Sequence, residues 1–296
     1  MRDLPFDRPA IVLAGAALLV TAVILAVATQ SPSANPHTSS APGSLRIPER
    51  LPDLDQETPS QLEVQTVLIG GRRTHRLGFR SAVRNIGAGP LIVVGSRPDT
   101  GHPSMRVDQL IDRVGAGPRV VPGVGRMRYV VSPGHRHWHY VGFEHYELQT
   151  FEMRSAESRK VVATDHKTGF CLGDRYPVTR VRLTATPPRP VYTGRCGLTQ
   201  PDRLRVRAGI SVGYGDDYFA FLEGQDLPLD GLAEGRYVLV HRVNEDHGLW
   251  ERSYVNNASS VLLDLRWQGG EPALRLLERC PETDQCDRQP EDAGPG

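Results

Sequence analysis

The sequence predicts an all-β fold, an antiparallel β-sandwich with long loops, preceded by an N-terminal transmembrane or signal helix. Short apolar runs alternate with Gly, Pro and Asp turns from about residue 60 onward, and no amphipathic helical periodicity interrupts them. Glycine and proline number 30 and 24 among 296 residues, a content that suits turn-rich β structure better than helices. The helix is predicted separately, from one uncharged stretch near the N-terminus.

That stretch is residues 10–28, AIVLAGAALLVTAVILAVA, close to the ~20 apolar residues that a helix needs to cross a bilayer. Arg2 and Arg8 precede it and orient residues 1–9 toward the cytoplasm. The segment is either an uncleaved anchor, which would attach the protein to a membrane, or a signal peptide cleaved after Ala28. Both alternatives export the rest of the chain, so we expect a secreted protein or a membrane-anchored protein with an extracellular domain.

Composition divides the exported part of the chain into three regions. Residues 29–59 are predicted to form a Ser/Pro-rich linker, residues 60–268 a single domain, and residues 269–296 an acidic, Pro/Gly-containing tail. The candidate strands of the domain are residues 63–69, 76–84, 91–94, 128–131, 138–150, 205–212, 236–243 and 260–267.

Charge and lysine content narrow the classes of function. The net charge is +1, which argues against a nucleic-acid partner held by bulk positive charge. The chain holds two lysines, Lys160 and Lys167, against 33 arginines. Because arginine cannot be deprotonated to a nucleophile, a lysine kept in such a chain is a candidate for a position that needs a primary amine.

The four cysteines all lie in the exported part, which fits an oxidising compartment. Cys280 and Cys286 are close enough in sequence to close a short loop, and Cys171 would then pair with Cys196. Three pairings are formally open, and this one is preferred on sequence proximity alone.

A histidine cluster in GHRHWHYVGFEHYEL is the densest chemical motif. Alternate residues of a strand project from one face, so His135, His137 and His139 would present three imidazoles on one side. Three neutral imidazoles suit a divalent transition metal, and the Irving–Williams order favours copper. The alternative is a histidine-rich surface strand without a metal. His145 is equally consistent with a residue that orients a metal ligand and with a structural histidine.

Further sequence motifs occur before and after the histidine cluster, in a fixed order along the chain. They resemble the lysyl oxidase family, the copper amine oxidases that act on protein lysine, over residues 63 to 267. The segments are LGFR at 77–80, NIG at 85–87, DHKTGFCLGD at 165–174, GYGDDY at 213–218 with Gln225 seven residues later, GRYVL at 235–239 and ERSYVNN at 251–257.

The resemblance implies that His135, His137 and His139 bind copper. It also implies that Lys167, in the family's His-Lys-x-x-Phe-Cys-Leu pattern, cross-links with a tyrosine to form lysine tyrosylquinone. The family's tyrosine lies in Asp-x-Tyr seven residues before a Gln, which matches Tyr218 and not the nearby Tyr214. The implied activity is the oxidation of primary amines, peptidyl lysine foremost, to aldehydes with O₂, releasing hydrogen peroxide and ammonia.

The residue types agree with this chemistry, because a neutral amine adds to a quinone and a guanidinium cannot. The reaction also needs a base that removes the α-proton of the substrate. Asp216 matches the family's Asp-x-Tyr position and is a candidate base or orienting residue, while Asp217 is as close to Tyr218 in sequence. Glu251 and residues 256–257 are predicted as structural turn residues before the last strand.

Two departures from the family pattern bear on the site. The spacing after the histidines is one residue shorter, which weakens any role for Glu144 or His145, and about eight extra residues occur near 201–208. One alternative is therefore an exported metal-binding β-sandwich without quinone chemistry. It would be a cupin-like metalloenzyme using His137-x-His139-x₄-Glu144, or a catalytically silent binding module.

Overall fold

The computed structural model describes six parts of the chain, in which every regular element is a β-strand. Among these residues no helix is long and apolar enough to cross a membrane. The predicted N-terminal helix at residues 10–28 lies outside the described part and receives no support from it. Lys167 and the side chain of His135 also lie outside it. The described residues are 47–132, 135–151, 159–164, 169–179, 183–222 and 224–286.

The first sheet carries the histidine motif on its last strand. Its strands, numbered in chain order, are β1 Glu49–Arg50, β5 Leu91–Ser96, β6 Ser104–Arg113, β7 Ala116–Ser132, β8 His135–Tyr140 and β12 Arg205–Ile210. They run antiparallel in the order β12-β5-β6-β7-β8, and β1 pairs with β6. Met127 of β7 pairs with Tyr140 of β8, which fixes the register of the histidine strand.

The central strand of the second sheet is buried on both faces. The strands of this sheet are β9 Glu144–Thr150, β10 Val161–Thr164, β15 Gly235–Val243, β16 Ala258–Gln268 and β17 Glu271–Cys280, in the order β10-β9-β15-β16-β17. On β15, Leu239 packs into the main core, whereas Val238 and Val240 pack into a smaller cluster against the Cys280–Cys286 pair. Because both faces of β15 are buried, the centre of the strand is apolar at every position and does not alternate with polar residues.

The third sheet is built around one long strand. It comprises β2 Leu54–Gln56, β3 Ser60–Ile69, β4 Arg72–Asn85, β11 Tyr176–Pro177, β13 Tyr214–Tyr218 and β14 Asp226–Pro228. The order is β11-β13-β4-β14, and β2 and β3 also pair with β4. All these pairings are antiparallel. Tyr218 at the end of β13 pairs with Ser81 of β4.

The all-β antiparallel prediction is confirmed, but the described strands form three sheets where a sandwich has two. The third sheet arises because β4 is 14 residues long and can pair with different partners along its length. The predicted strand 138–150 is two strands in two different sheets. It breaks after Tyr140 at a turn in which Gly142 adopts a φ of +77°, a conformation that glycine tolerates.

The folded region extends beyond the predicted boundaries at both ends. β1 and β2 lie within residues 29–59, which were predicted as linker, and β17 lies within residues 269–296, which were predicted as tail. β17 pairs along its length with β16, and its Leu274 and Leu276 pack against the main core. This pairing and packing place β17 in the folded domain. The surrounding composition is acidic and proline-rich, as expected of a tail, but residues 271–280 contain a short alternating apolar pattern.

The predicted disulfide pairing is confirmed. Cys171 is bonded to Cys196 and Cys280 to Cys286, which leaves no free cysteine. The first bridge joins the segment after β10 to the loop before β12, and the second closes the end of β17. Both fit an oxidising compartment.

Candidate functional site

β8 brings two of the predicted metal ligands together. The Nε2 atoms of His137 and His139 lie 2.7 Å apart. Trp138 between them points to the opposite face and is buried in the core, as strand alternation predicts. His139 is only 2% exposed, which does not fit the alternative of a histidine-rich surface strand. His135 belongs to the same strand, two residues earlier.

The segment after Lys167 is bound to this histidine strand. Tyr140 and Phe170 exchange two backbone hydrogen bonds, of 2.8 Å from the Tyr140 N–H and 2.9 Å from the Phe170 N–H. Gly169 makes the approach possible, because a Cβ there would lie 2.4 Å from the Tyr140 carbonyl oxygen. The Trp138 N–H also donates to the Cys196 carbonyl at 2.8 Å. β8 is thus held by residues on both sides of the Cys171–Cys196 bridge.

Tyr218 is clamped to the same segment from the third sheet. Its hydroxyl accepts a hydrogen bond from the Cys171 N–H at 2.7 Å and donates one to the Cys171 carbonyl at 3.1 Å. The Phe170 ring meets the Tyr218 ring edge-on, with 4.8 Å between centroids. Burial raises the pKa of Tyr218 well above its usual range, and the nearby Asp216 carboxyl adds to the effect. The phenol is therefore held neutral. It contacts Cys171, which lies four residues after Lys167 in the sequence.

Asp216 shares the buried face of β13 with Tyr218. Its carboxylate accepts hydrogen bonds from the Gly173 N–H and from Arg175 Nε, both at 3.2 Å. Burial raises the pKa of Asp216 well above its usual range, and the Arg175 charge opposes that rise. The neighbouring Asp217 faces the other side of the strand, where its carboxylate accepts from Arg80 Nε at 2.9 Å. The contacts of Asp216 fix the loop at 173–175 against β13.

A buried carboxylate, Glu144 on β9, forms the centre of a hydrogen-bond network that the sequence did not predict. Glu144 Oε2 accepts from Tyr146 at 2.7 Å, from His241 Nε2 at 3.0 Å and from the Ser81 hydroxyl. The Tyr146 hydroxyl also lies 3.2 Å from Gln225 Oε1. Three strands, β4, β9 and β15, and the segment before β14 are thereby joined through polar groups inside the core.

The hydrogen bonds define the protonation of this network. Gln56 Nε2 donates to the Ala82 carbonyl at 2.8 Å and lies 3.0 Å from His241 Nδ1, so Nδ1 is the acceptor and Nε2 carries the proton toward Glu144. Burial alone would raise the pKa of Glu144. The His241 ring and the hydrogen bonds from Ser81 and Tyr146 outweigh it and hold the pKa below its usual range. Glu144 is a carboxylate held as an anion.

His145 points away from this network. Its Nε2 lies 3.2 Å from Glu147 Oε1 on the opposite face of β9. The His145 hydrogen bond, opposed by partial burial and helped by Arg242 and Gln149, lowers the pKa of Glu147 to about 2. Of the two roles considered for His145, these contacts match the structural one.

Glu147 should make the stability of the protein depend on acidity. Its pKa is lowered on folding from 4.5 to about 2, so it stabilises the folded state above about pH 4.5. That contribution is lost as the pH falls toward 2, and it is small because the group is partly exposed and screened. Urea unfolding of wild type and Glu147→Gln should differ at pH 6 and converge near pH 2. A difference that grows on acidification would contradict the assignment.

Glu251 has the structural role that the sequence predicts. Its carboxylate accepts hydrogen bonds from the Leu54 N–H at 2.7 Å, from Asn257 at 2.9 Å and from Asn244 at 2.5 Å. Burial raises the pKa of Glu251 to about 7. These contacts join the start of the third sheet to the loop before β16.

Metal-binding side chains cluster at one other place among the described residues. The one group of three or more within reach of a single ion is Glu278, Cys280 and Cys286, and its two sulfurs form a disulfide. The Glu144 carboxylate does not lie close enough to both His137 and His139 for these three described residues to hold one ion. The cupin-like arrangement through Glu144 therefore receives no support, because that carboxylate is used by Ser81, Tyr146 and His241.

These contacts define a class: an all-β protein in which the strand with an imidazole pair and the strand with a buried tyrosine are both bound to one disulfide-bonded segment. The family model of lysyl oxidase matches residues 100–271, more than half of the chain, and the chain belongs to that family. The protein-lysine 6-oxidase of Homo sapiens is 29% identical over 139 residues, which cover 46% of this chain and 27% of the relative. That of Gallus gallus is 30% identical over 136 residues, with the same coverages. The matched regions thus span about a quarter of each relative's length.

Proposed function

We propose that this protein is a copper- and quinone-dependent amine oxidase. It would convert primary amines, peptidyl lysine foremost, into aldehydes with O₂ and release hydrogen peroxide and ammonia. The observation that carries the proposal is the clamp of Tyr218 on Cys171, within the same segment that contains Lys167 and binds β8. Family membership makes an oxidoreductase of lysyl oxidase type the expected class.

Copper fits the donor set of β8. His137 and His139 direct their Nε2 atoms at one another, as two ligands of one ion would, and imidazole nitrogen is a preferred donor for copper. His135, two residues earlier on the strand, is the proposed third ligand. The interior position of His139 would keep bulk water from one side of the ion.

The self-derived lysine tyrosylquinone fits the surroundings of Tyr218. Lys167 lies three residues before Phe170, a span of at most about 10 Å of extended chain, and the Phe170 ring touches the Tyr218 ring. The quinone would supply an electrophilic carbonyl for the amine, and copper would promote the reaction with O₂. In this proposal the Cys171 backbone positions the Tyr218 oxygen, and Asp216 orients the loop at 173–175. The geometry favours the orienting role of Asp216 over that of proton-abstracting base, since its two carboxylate oxygens already accept from the Gly173 N–H and Arg175 Nε.

The disulfides agree with an exported protein, which we propose works outside the cytoplasm. The proposed partners are a primary-amine substrate and O₂, with no nucleic acid. A membrane would be a further partner if residues 10–28 form an uncleaved anchor.

The deciding experiment uses the full chain, loaded with copper in air. We expect a positive redox-cycling stain for quinone, one cross-linked peptide containing Lys167 and Tyr218 in mass spectrometry, and peroxide release on addition of a lysine peptide. Recovery of the two peptides separately and unmodified from an amine-oxidising sample would contradict the cofactor assignment. Copper binding without quinone or peroxide would instead identify a catalytically silent binding module.

Removal of a histidine ligand should reduce the copper content. His137→Ala or His139→Ala leaves at most two imidazoles, which lowers both affinity and geometric selectivity, so copper should fall well below one per chain. Elemental analysis after dialysis measures this directly. His145→Ala is the matched control, because His145 faces Glu147 and should leave copper unchanged. Full occupancy after replacement of His135, His137 and His139 together would exclude the site.

A further inference from the structure

A cavity of about 280 Å³ is lined by the loop at residues 192–197 and by strand β12. Four exposed arginines line this arginine cavity, and no acidic side chain does. Two of them alternate along β12, where the residue between them, Val206, packs into the main core. The four are Arg195, Arg203, Arg205 and Arg207.

The charge of the arginine cavity is not balanced within the described part of the chain. None of its four arginines lies within 4.0 Å of a carboxylate there. Arg207 instead lies over the Tyr192 ring, 5.9 Å from its centroid. In the cavity beside β11, by contrast, Arg84 pairs with both Asp55 and Glu57. Because four like charges around one cavity repel one another, an anion bound among them would stabilise the folded protein.

The loop that lines the other side of the arginine cavity supplies backbone donors. The N–H groups of residues 194–197 donate to no described residue. Gly194, Cys196 and Gly197 have φ angles of +61°, +41° and +67°, whereas Arg195 between them keeps a negative φ. Successive N–H groups in backbone that alternates between right- and left-handed conformations form concavities that bind anions. The disulfide of Cys196 holds the loop in this conformation.

We propose that the arginine cavity binds a phosphate group, either free or esterified. Guanidinium groups donate two parallel hydrogen bonds to a phosphate, and the Tyr192 ring restricts the orientation of the Arg207 fork. Four positive charges favour a group that carries two negative charges over a single carboxylate. The site does not depend on the proposed oxidase activity, because none of its side chains is a proposed copper ligand or cofactor precursor.

Phosphate binding is measured on the metal-free full chain by isothermal titration calorimetry, at an ionic strength held constant with chloride. We expect a single phosphate per chain. Phosphate at about five times its Kd should raise the Tm by about 2–4 °C, as binding to the folded state alone requires for a domain of this size. Arg207→Gln should weaken binding about tenfold, the usual effect of losing a charge-assisted hydrogen bond, and adding Arg205→Gln should weaken it further. Both positions are exposed, so the variants should fold.

The matched control is Arg236→Gln. Arg236 is also an exposed strand arginine with no carboxylate partner among the described residues, and it lies 6.0 Å from the centroid of the Phe151 ring. Its replacement removes the same charge outside the cavity, so phosphate affinity should stay within about twofold of wild type. Unchanged affinity in Arg207→Gln and in the double variant, or an equal loss in Arg236→Gln, would overturn the inference.

A phosphate monoester distinguishes the two sources of the group. Glycerol 3-phosphate is titrated under the same conditions as inorganic phosphate. An affinity at least equal to that of inorganic phosphate would assign the site to an esterified phosphate on a larger molecule, and a much weaker one would assign it to the free ion. Absence of both binding heat and a rise in Tm with either probe would exclude the site.

Discussion

Replacement of Tyr218 by phenylalanine is expected to abolish amine oxidation while the protein keeps its copper. The variant removes the ring oxygen on which the proposed cofactor chemistry depends, and it leaves the histidines of β8 untouched. Lys167→Arg should have the same effect by a different route, because arginine keeps the positive charge but cannot add to a quinone. The measurements are peroxide release with a lysine peptide and copper content of the same samples.

The chain contains matched controls for both variants. The Tyr214 hydroxyl lies 3.4 Å from the Pro187 carbonyl, at the other end of β13 from the Cys171 clamp, so Tyr214→Phe should retain most of the activity. Lys160→Arg should also be active, because Lys160 lies outside the matching motif. Tyr218→Phe leaves the buried Cys171 N–H without its acceptor, at a cost of about 1–3 kcal/mol. Activity is therefore compared well below the unfolding temperature. Wild-type rates in Tyr218→Phe would exclude Tyr218 as the cofactor precursor.

Local pattern was sufficient to predict the histidine strand. The alternation of histidine with Arg136 and Trp138 requires two faces, and the structure buries Trp138 on one and brings His137 and His139 together on the other. The disulfide pairing was also predictable, since sequence proximity favoured it. The histidine pattern lies within five residues, and the disulfide pairing follows once the six-residue separation of Cys280 and Cys286 is recognised.

The strand that carries Tyr218 was not predicted, because its residues do not look like a strand. β13 reads Tyr-Gly-Asp-Asp-Tyr, with a glycine and two acids where β-branched residues are usual. Asp216 can be buried there only because the Gly173 N–H and Arg175 Nε donate to it, from more than 40 residues away. Such partners come from the tertiary fold, and no spacing in one sequence identifies them.

The Glu144 network shows an intermediate case. His241 alternates with Tyr237 and Leu239 on one face of β15, so a buried titratable side chain could be inferred from the strand pattern. Its partner could not be inferred, because Glu144 lies 97 residues earlier in the chain. A polar residue on an apolar strand face predicts that a partner exists without naming it.

Replacement of Glu144 by alanine is expected to destabilise the described core strongly. It would leave the His241 Nε2–H and the hydroxyls of Ser81 and Tyr146 without their common acceptor. An unsatisfied buried donor costs about 1–3 kcal/mol, so the loss for three donors, partly relieved by rotation of the hydroxyls, should be about 3–5 kcal/mol. Urea unfolding at neutral pH measures the change in the free energy of unfolding.

Two further variants separate the network from the general effect of truncation. Tyr146→Phe removes one of the three donors and no acceptor, so its cost should be near 1 kcal/mol. Glu147→Ala shortens the next acidic side chain on the same strand, where the carboxylate is partly exposed, and should cost about 1 kcal/mol or less. A loss for Glu144→Ala no larger than that for Glu147→Ala would show that the three hydrogen bonds do not hold the sheets together. A loss several times larger would identify Glu144 as the polar centre on which the packing of β4, β9 and β15 depends.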